Sequence, residues 1–454
     1  MIRPTAIACL LTLFELVMLG PAAEKPNIIF LMVDDMGYGD LGCYGQKKIK
    51  TPNIDRMAEE GLKFTDCYCG SAVCGPTRCV LMTGLHTGHC TRRNNRAPGH
   101  KLIPLKRDDL TVATVVQRAG YATGGIGKWG VGNPGTTGTP ELHGFDFFYG
   151  YLDQVHAHDH YSDHIWRSGR YEQIAGNKGG GQKQYIPDLF GREMIEFVRR
   201  NKDRPFFLYL PFTIPHGKYV VPSDEPYSGE PWSQMLKNYA AMITRMDGQA
   251  GQLFDLLKQL NLDEKTIVFF CSDNGPNPPF LQTFNSAGGL RGVKGSLYEG
   301  GIRTPMIVRW PGKTPAGKTS DFVWGHVDFF ATACDIAGIE PPKTDGISVL
   351  PTLLGKEQKA NEFYYWEFHG RKQQAVRSGE FKGYRRGPGT VLELYDLSKD
   401  PAEKNDIAAE NPEVVKEIED YLTTARCESP YWKFDKPDRI APKNQKPKRK
   451  RGKT

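Results

Sequence analysis

Two acidic pairs and one cysteine stand out by residue type and spacing. Asp34-Asp35 follow the apolar run Ile28 to Val33, and Asp273-Asn274 follow the β-prone run Thr266 to Cys271. Carboxylates and an amide carbonyl are hard oxygen donors of the kind that Ca²⁺ or Mg²⁺ takes. A single Asp-Asp pair is ordinarily a cap or a turn. Two such pairs, each closing a buried strand, point elsewhere, because adjacent buried carboxylates repel and are relieved by a cation.

Cys74 opens the stretch Cys74-Gly75-Pro76-Thr77-Arg78. Proline suits the first turn of a helix, where its missing N–H costs nothing. Arg78 is four residues on and shares a helix face with Cys74. A helix N-terminus beside an arginine favours an oxyanion such as sulfate or phosphate. Cys74 is therefore either half of a disulfide or a reactive group beside an anion site. Cys67, Cys69, Cys74, Cys79 and Cys90 cluster without zinc-site spacing, and one or two disulfides plus buried thiols is the plain expectation.

The elements that must position these residues alternate. Besides the two runs above, the apolar runs around Phe206 to Leu210 and Pro305 to Trp310 read as strands, the former leading to Pro215-His216. Helical patterns cover 53–60, 111–119, 188–200, 237–260 and 327–337. Alternation of this kind predicts an α/β domain with a mostly parallel central sheet flanked by helices. Ligand sites of such sheets gather at the carboxyl ends of the strands. Asp34, Asp35, His216, Asp273 and Asn274 all sit at such ends. From about Asn361 the pattern changes to aromatic and charged residues in alternation with glycine turns. An antiparallel meander and an amphipathic helix near its end predict a small C-terminal α+β domain.

The expected organisation is thus a signal peptide over 1–23, a catalytic domain over 24–360, a small domain over 361–437 and a basic tail over 438–454. The first segment has Arg3, an apolar run and a Gly-Pro-Ala-Ala stretch, as secretory signals do. It implies a periplasmic or secreted protein. No run is long enough for a transmembrane span. The chain has 39% hydrophobic and 24% charged residues, which excludes disorder over most of its length. Its net charge of +7 is carried by the tail. Subtracting the seven Lys and Arg of residues 443–453 from 59 leaves 52, equal to the 52 acidic residues. No nucleic-acid-binding module is evident.

Several motifs in order now resemble one family. They are an apolar strand ending in Asp34-Asp35-x-Gly-x-Gly-Asp40, the Cys-x-Pro-x-Arg stretch at 74–78 with Thr83-Gly84 after it, Gly127-Lys128-Trp129, Pro215-His216 and Asp273-Asn274-Gly275. Together they resemble the type I sulfatases of the alkaline-phosphatase-like superfamily, nearest to arylsulfatases and N-acetylgalactosamine-6-sulfatase-like members. The resemblance runs from Pro26 to about Leu422, and ELYDLSKDPAEKNDIA at 393–408 is similar to the family's C-terminal segment.

The resemblance implies that a formylglycine-generating maturation enzyme oxidises Cys74 to the aldehyde formylglycine. One hydroxyl of its hydrate attacks sulfur, and the second expels sulfate by C–O cleavage, which a serine or thiol cannot do. It implies Asp34, Asp35, Asp273, Asn274 and the modified Cys74 as ligands of Ca²⁺, with Mg²⁺ possible. Arg78 orients the hydrate, Lys128 and Lys294 contact sulfate, and His216 serves the leaving-group oxygen. The implied substrate is a sulfated sugar or polysaccharide, or an aryl sulfate. Alternatives are a phosphodiester or phosphonate monoester hydrolase of the same superfamily, and a carbohydrate-binding relative with impaired catalysis.

Two departures are visible. Gly75 and Thr77 replace the usual Ser or Thr and Ser, and Gly130 stands where the family has a histidine after Gly-Lys-Trp. That histidine positions the hydrate or takes its proton. His86, His156, His158, His160 and His164 are the candidates to replace it, with His158 favoured; the bland reading of 152–166 is a polar or substrate-binding loop.

Overall fold

The computed structural model describes residues 25–434. The expected signal peptide and basic tail lie outside the described residues.

Fifteen strands are described. They are β1 (Asn27–Val33), β2 (Leu62–Tyr68), β3 (Ala122–Lys128), β4 (Phe147–Tyr151), β5 (His164–Arg167), β6 (Arg170–Gln173), β7 (Phe206–Pro211), β8 (Thr266–Ser272), β9 (Arg303–Arg309), β10 (Lys318–Ser320), β11 (Trp324–Gly325), β12 (Tyr364–Phe368), β13 (Gln373–Ser378), β14 (Phe381–Arg385) and β15 (Glu393–Asp396). The first eleven form one sheet in the order β10-β2-β9-β8-β1-β7-β3-β4-β5-β6, with β11 paired to β2. Pairings β8-β1, β1-β7, β7-β3 and β3-β4 are parallel. Strand β9 is antiparallel to both β8 and β2, so β2 runs the same way as β8.

Every residue of β1 is buried, which is why it reads as a continuous apolar run rather than an alternating one. Side chains still alternate between faces. Ile28, Phe30 and Met32 join a core that takes in the helices Cys74–Thr83, Val112–Arg118 and Phe329–Ile336. Ile29, Leu31 and Val33 join a second core with the helices Pro52–Glu59, Ile186–Asn201 and Gln234–Gln259. The sheet is the middle of three layers. Phe30 shows the packing, with its ring 4.2 Å from that of Phe329.

This topology sets the site. Strands β1, β2, β3, β7 and β8 all point their carboxyl ends at one rim. Asp34, Asp273 and Lys128 lie at the ends of β1, β8 and β3. The helix Cys74–Thr83 begins just after β2.

The C-terminal meander is present as the antiparallel sheet β12-β13-β14-β15, with the helix Pro412–Thr424 against β13 and β14. The histidine-rich segment is more structured than a polar loop. His164–Arg167 and Arg170–Gln173 form an antiparallel hairpin that pairs with β4. Its two-residue turn, Ser168-Gly169, has positive φ at both positions, the geometry that matches strand twist. The disulfide expectation is not met, since none of the nine described cysteines is paired. Cys67 and Cys69 pack at the end of β2, and Cys79 is inside a helix, so burial accounts for them.

Candidate active site

At the rim, Asp34, Asp35, Asp273 and Asn274 are each at most 1% exposed. Asp35 sits at φ 68°, a left-handed conformation unfavourable for a residue with a Cβ. The turn is held because the Asp35 N–H donates to Asp273 Oδ1 at 3.1 Å. The Asn274 amide donates from Nδ2 to Asp35 Oδ1 (2.8 Å) and to the Gly275 carbonyl (3.0 Å). Its Oδ1 is thereby turned the other way, and it has no hydrogen-bond partner. Asp34 Oδ1 is likewise buried and unpartnered. Buried polar atoms are nearly always paired. Two orphaned oxygens among three carboxylates and an amide fit a hard divalent cation. Donor atoms of Asp34, Cys74 and Asp273 lie within 4.8 Å of one another, as do those of Asp34, Asp35 and His216.

Three cations face the three carboxylates. Lys128 Nζ is 2.6 Å from Asp34 Oδ2, Lys294 Nζ is 2.5 Å from Asp35 Oδ1, and Arg78 Nη2 is 2.9 Å from Asp273 Oδ2. Burial pushes the Asp34 carboxyl up, but Lys128, His216, Arg78 and Lys294 outweigh it and hold it well below the usual range. Asp35 is lowered in the same way, against its burial, by His216 and Lys294. Asp273 moves the other way, to about 7, because burial and then the Asp34 charge exceed the help from Arg78.

Cys74 is the first residue of its helix and 2% exposed. Pro76 falls within the first turn, where helix N–H groups have no intrahelical acceptor. Arg78 is fully buried. Besides Asp273, it donates from Nη1 to the Lys128 carbonyl at 2.5 Å, which ties the helix to the end of β3. Its Nε has no partner.

His216 Nε2 is 3.3 Å from Asp35 Oδ2, and its ring stacks on His158 with centroids 4.1 Å apart. Burial pushes His216 down to about 3, past the opposing pull of Asp35 and Asp34. His158 is lowered too, by burial and by the Lys128 charge. The residues read from the sequence as metal ligands, reacting groups and sulfate contacts therefore gather at one rim, and of the five candidate histidines His158 joins them.

The hydrogen-bond partners of Cys74 were not foreseen. Its thiol donates to Gln154 Oε1 at 3.1 Å, and Asn95 Nδ2 lies 3.6 Å from the sulfur. His158 is in the His216 stack instead. His86 stacks on His89 and faces Asp345, and His156 packs against His164 with the rings tilted. The signal for Gln154 was Gly130 itself. Gly130 has φ 79°, and a Cβ there would lie 2.2 Å from Gln154 Nε2. Gly75 is the matching signal for Asn95, whose Oδ1 would lie 2.6 Å from a Cβ at position 75.

The chain matches the family model described as Sulfatase over residues 26–339, and that described as N-sulphoglucosamine sulphohydrolase, C-terminal, over residues 293–428. It is 31% identical to N-acetylgalactosamine-6-sulfatase of Canis lupus familiaris over 388 residues, covering 80% of this chain and 72% of the relative. It is 29% identical to N-acetylgalactosamine-6-O-sulfatase of Bacteroides thetaiotaomicron, covering 90% and 94%. Among solved structures, it is similar to Ps i-CgsB in complex with k-i-k-neocarrahexaose, with TM-score 0.77 and 27% identity over 88% of this chain and 93% of that one. A Bacteroides thetaiotaomicron structure from work on the metabolism of multiple glycosaminoglycans gives TM-score 0.76 and 28% identity, over 88% and 99%.

Proposed function

The chain belongs to the type I sulfatase family, a branch of the alkaline-phosphatase-like superfamily, and is a sulfuric ester hydrolase; from that premise we propose that its substrate is a sulfated sugar or polysaccharide and that the rim above is where the ester is cleaved. The observation that carries the reading is the meeting of Cys74, two lysines, an arginine and four hard oxygen ligands at the ends of parallel strands. The sugar assignment draws on relatives named for N-acetylgalactosamine 6-sulfate and on a neighbour solved with a carrageenan oligosaccharide.

Asp34, Asp35, Asp273 and Asn274 would hold Ca²⁺ or Mg²⁺, which would supply Lewis-acid stabilisation of charge on a sulfate oxygen. Formylglycine made from Cys74 supplies the aldehyde whose hydrate carries the attacking hydroxyl. Cys74 is 2% exposed, so the maturation enzyme must reach it before the helix Cys74–Thr83 packs. Lys128 and Lys294 hold the sulfate group and offset charge growing on its oxygens. Arg78 fixes the reacting end of the helix to the rim through Asp273 and the Lys128 carbonyl. His216 serves as hydrogen-bond donor to the leaving-group oxygen, exchanging its 3.3 Å contact with Asp35 Oδ2 for the substrate. Phosphoester hydrolysis is the weaker reading, because the curated relatives are sulfatases. Among the described residues no helix is long and apolar enough to cross a membrane. Export to the periplasm or the medium is the reading that Arg3 and the apolar run of the N-terminal sequence support.

The test is chain expressed with the maturation machinery and offered sulfated galactosamine, carrageenan oligosaccharides, an aryl sulfate and the matching aryl phosphate. Sulfate release together with an aldehyde-mass peptide containing position 74 supports the reading. Release of phosphate but not sulfate, or full activity with intact Cys74, sinks it.

A further inference from the structure

Gly130 and Gly75 are the two places beside position 74 where this chain lacks a side chain its family usually has. Each space is taken by a carboxamide from elsewhere in the sequence. Gln154 Nε2 donates to the Gly130 carbonyl at 3.1 Å, which fixes the flip of the amide and turns Oε1 to Cys74. Asn95 Oδ1 accepts from the Gly75 N–H at 2.8 Å, which turns Nδ2 to the same sulfur. Position 74 thus has an acceptor on one side and a donor on the other. Gln154 is 7% exposed, so solvent does not compete for it.

We propose that Gln154, seated over Gly130 and opposed by Asn95, is the positioning residue for the reacting side chain at position 74, in the place that other members fill with histidine. The proposal rests on the sulfatase reading. A hydrate at position 74 carries two hydroxyls. One donates to Gln154 Oε1, and the other accepts from Asn95 Nδ2, so the two are no longer equivalent. A carboxamide differs from imidazole in one respect that matters here: it accepts a hydrogen bond and keeps the hydroxyl oriented, but it takes no proton at any working pH. Gln154 therefore supplies geometry only, and the proton lost in sulfate release goes to another acceptor.

Gly130 is part of the device. A Cβ at 2.2 Å from Gln154 Nε2 displaces the far end of a flexible side chain, so Gly130→Ala moves the amide off position 74. The positive φ adds strain at the same residue.

The experiment uses fully matured enzyme, with the aldehyde fraction measured by peptide mass. Steady-state rates on an aryl sulfate are paired with the rate of aldehyde capture by a hydroxylamine probe. Gln154→Ala is expected to lower kcat about 100-fold with KM within about threefold, the signature of a misplaced reacting group. Loss of the hydrogen bonds shifts hydrate toward free aldehyde, so capture speeds up severalfold. Gly130→Ala gives the same pattern, and the double variant is no worse than either single one because both remove one interaction. Gln154→Glu keeps the acceptor but has a donor for the Gly130 carbonyl only when protonated, so its kcat recovers as pH falls and the pH profile gains a limb where its carboxyl titrates. Unchanged kcat and unchanged capture in Gln154→Ala overturn the proposal, as does additivity of the two single variants. If the wild type releases no sulfate at all, the sulfatase reading fails, whereas the capture rates still decide whether Gln154 holds the hydrate.

Discussion

The imidazoles of His158 and His216 stack with centroids 4.1 Å apart and planes 24° from parallel. The pair lies over Asp35, with His216 held by that carboxylate and His158 behind it. A histidine serving a leaving group matters most when the departing alcohol is a poor one. His216→Ala should cost at least about 100-fold in kcat/KM on a sugar sulfate and much less on a nitrophenyl sulfate, whose phenolate needs no proton. His158→Ala should give a smaller loss with the same substrate bias, since it acts by packing on His216. Parallel kinetics on the two substrate types check this, and equal losses on both would remove His216 from the leaving-group role.

Metal removal should be readable without turnover. Asp34 Oδ1 and Asn274 Oδ1 have no partner inside the protein. A cation that pairs with them stabilises the fold by mass action, by about 2.7 kcal/mol at a hundredfold excess over Kd. Chelation should lower the unfolding temperature, and returning Ca²⁺ should restore it. Elemental analysis of the purified protein identifies the ion. Asp34→Asn should abolish the thermal response to Ca²⁺. A response that persists in Asp34→Asn would place the cation elsewhere.

Much of this rim was legible because the strands are buried on both faces. Runs such as Ile28 to Val33 and Thr266 to Cys271 need no alternation, and each stops at a carboxylate, so both the strand and its functional end are visible. Gln154 and Asn95 gave no such signal. They lie in loops, carry no charge, and reach Cys74 across 80 and 21 residues of chain. Only the missing side chains at Gly130 and Gly75 hinted that something else fills the space. The 164–173 hairpin was hidden because its strands are short and mostly polar, and its register is set by pairing with β4 rather than by its own pattern. The cysteine cluster misled because proximity in sequence says nothing about which faces the thiols take.

Lys382 is fully buried between Glu299 Oε1 at 2.8 Å and Glu403 Oε1 at 3.0 Å. It joins the small sheet to the short helix Glu299–Ile302 before β9. Burial and the Glu299 charge push Glu403 up to about 7, even against Lys382. Lys382→Met leaves Arg303 Nη1 on Glu299 at 3.4 Å but takes the ammonium away from Glu403, and an uncompensated buried charge costs about 3–5 kcal/mol once Glu403 ionises. Denaturant unfolding should show that loss growing above pH 7, where Glu403 ionises without its ammonium. The loss should shrink as pH falls below 7, because Glu403 then holds a proton. A loss below 1 kcal/mol would mean that the carboxylates relax into water.

Glu367 gives the acid limit of the small domain. It sits in β12, fully buried, and its oxygens meet Arg93 Nη1 at 3.0 Å, Arg426 Nε at 2.9 Å and His369 Nε2 at 2.9 Å. Burial pushes its carboxyl up, but His369, Arg93 and Arg426 together pull it from the usual 4.5 to about 2. A carboxylate lowered on folding stabilises the native state above its unfolded pKa, and that stability is lost as pH falls through the folded value. The contribution is about 3 kcal/mol, present above pH 4.5 and gone near pH 2. Glu367→Gln should lose that increment at pH 7, with a further cost from leaving Arg93 unpaired. Its stability should then fall less steeply than wild type between pH 4.5 and 2. Unfolding free energies across that interval decide it, and parallel pH slopes for the two proteins would show that Glu367 is not the group whose protonation loosens the domain.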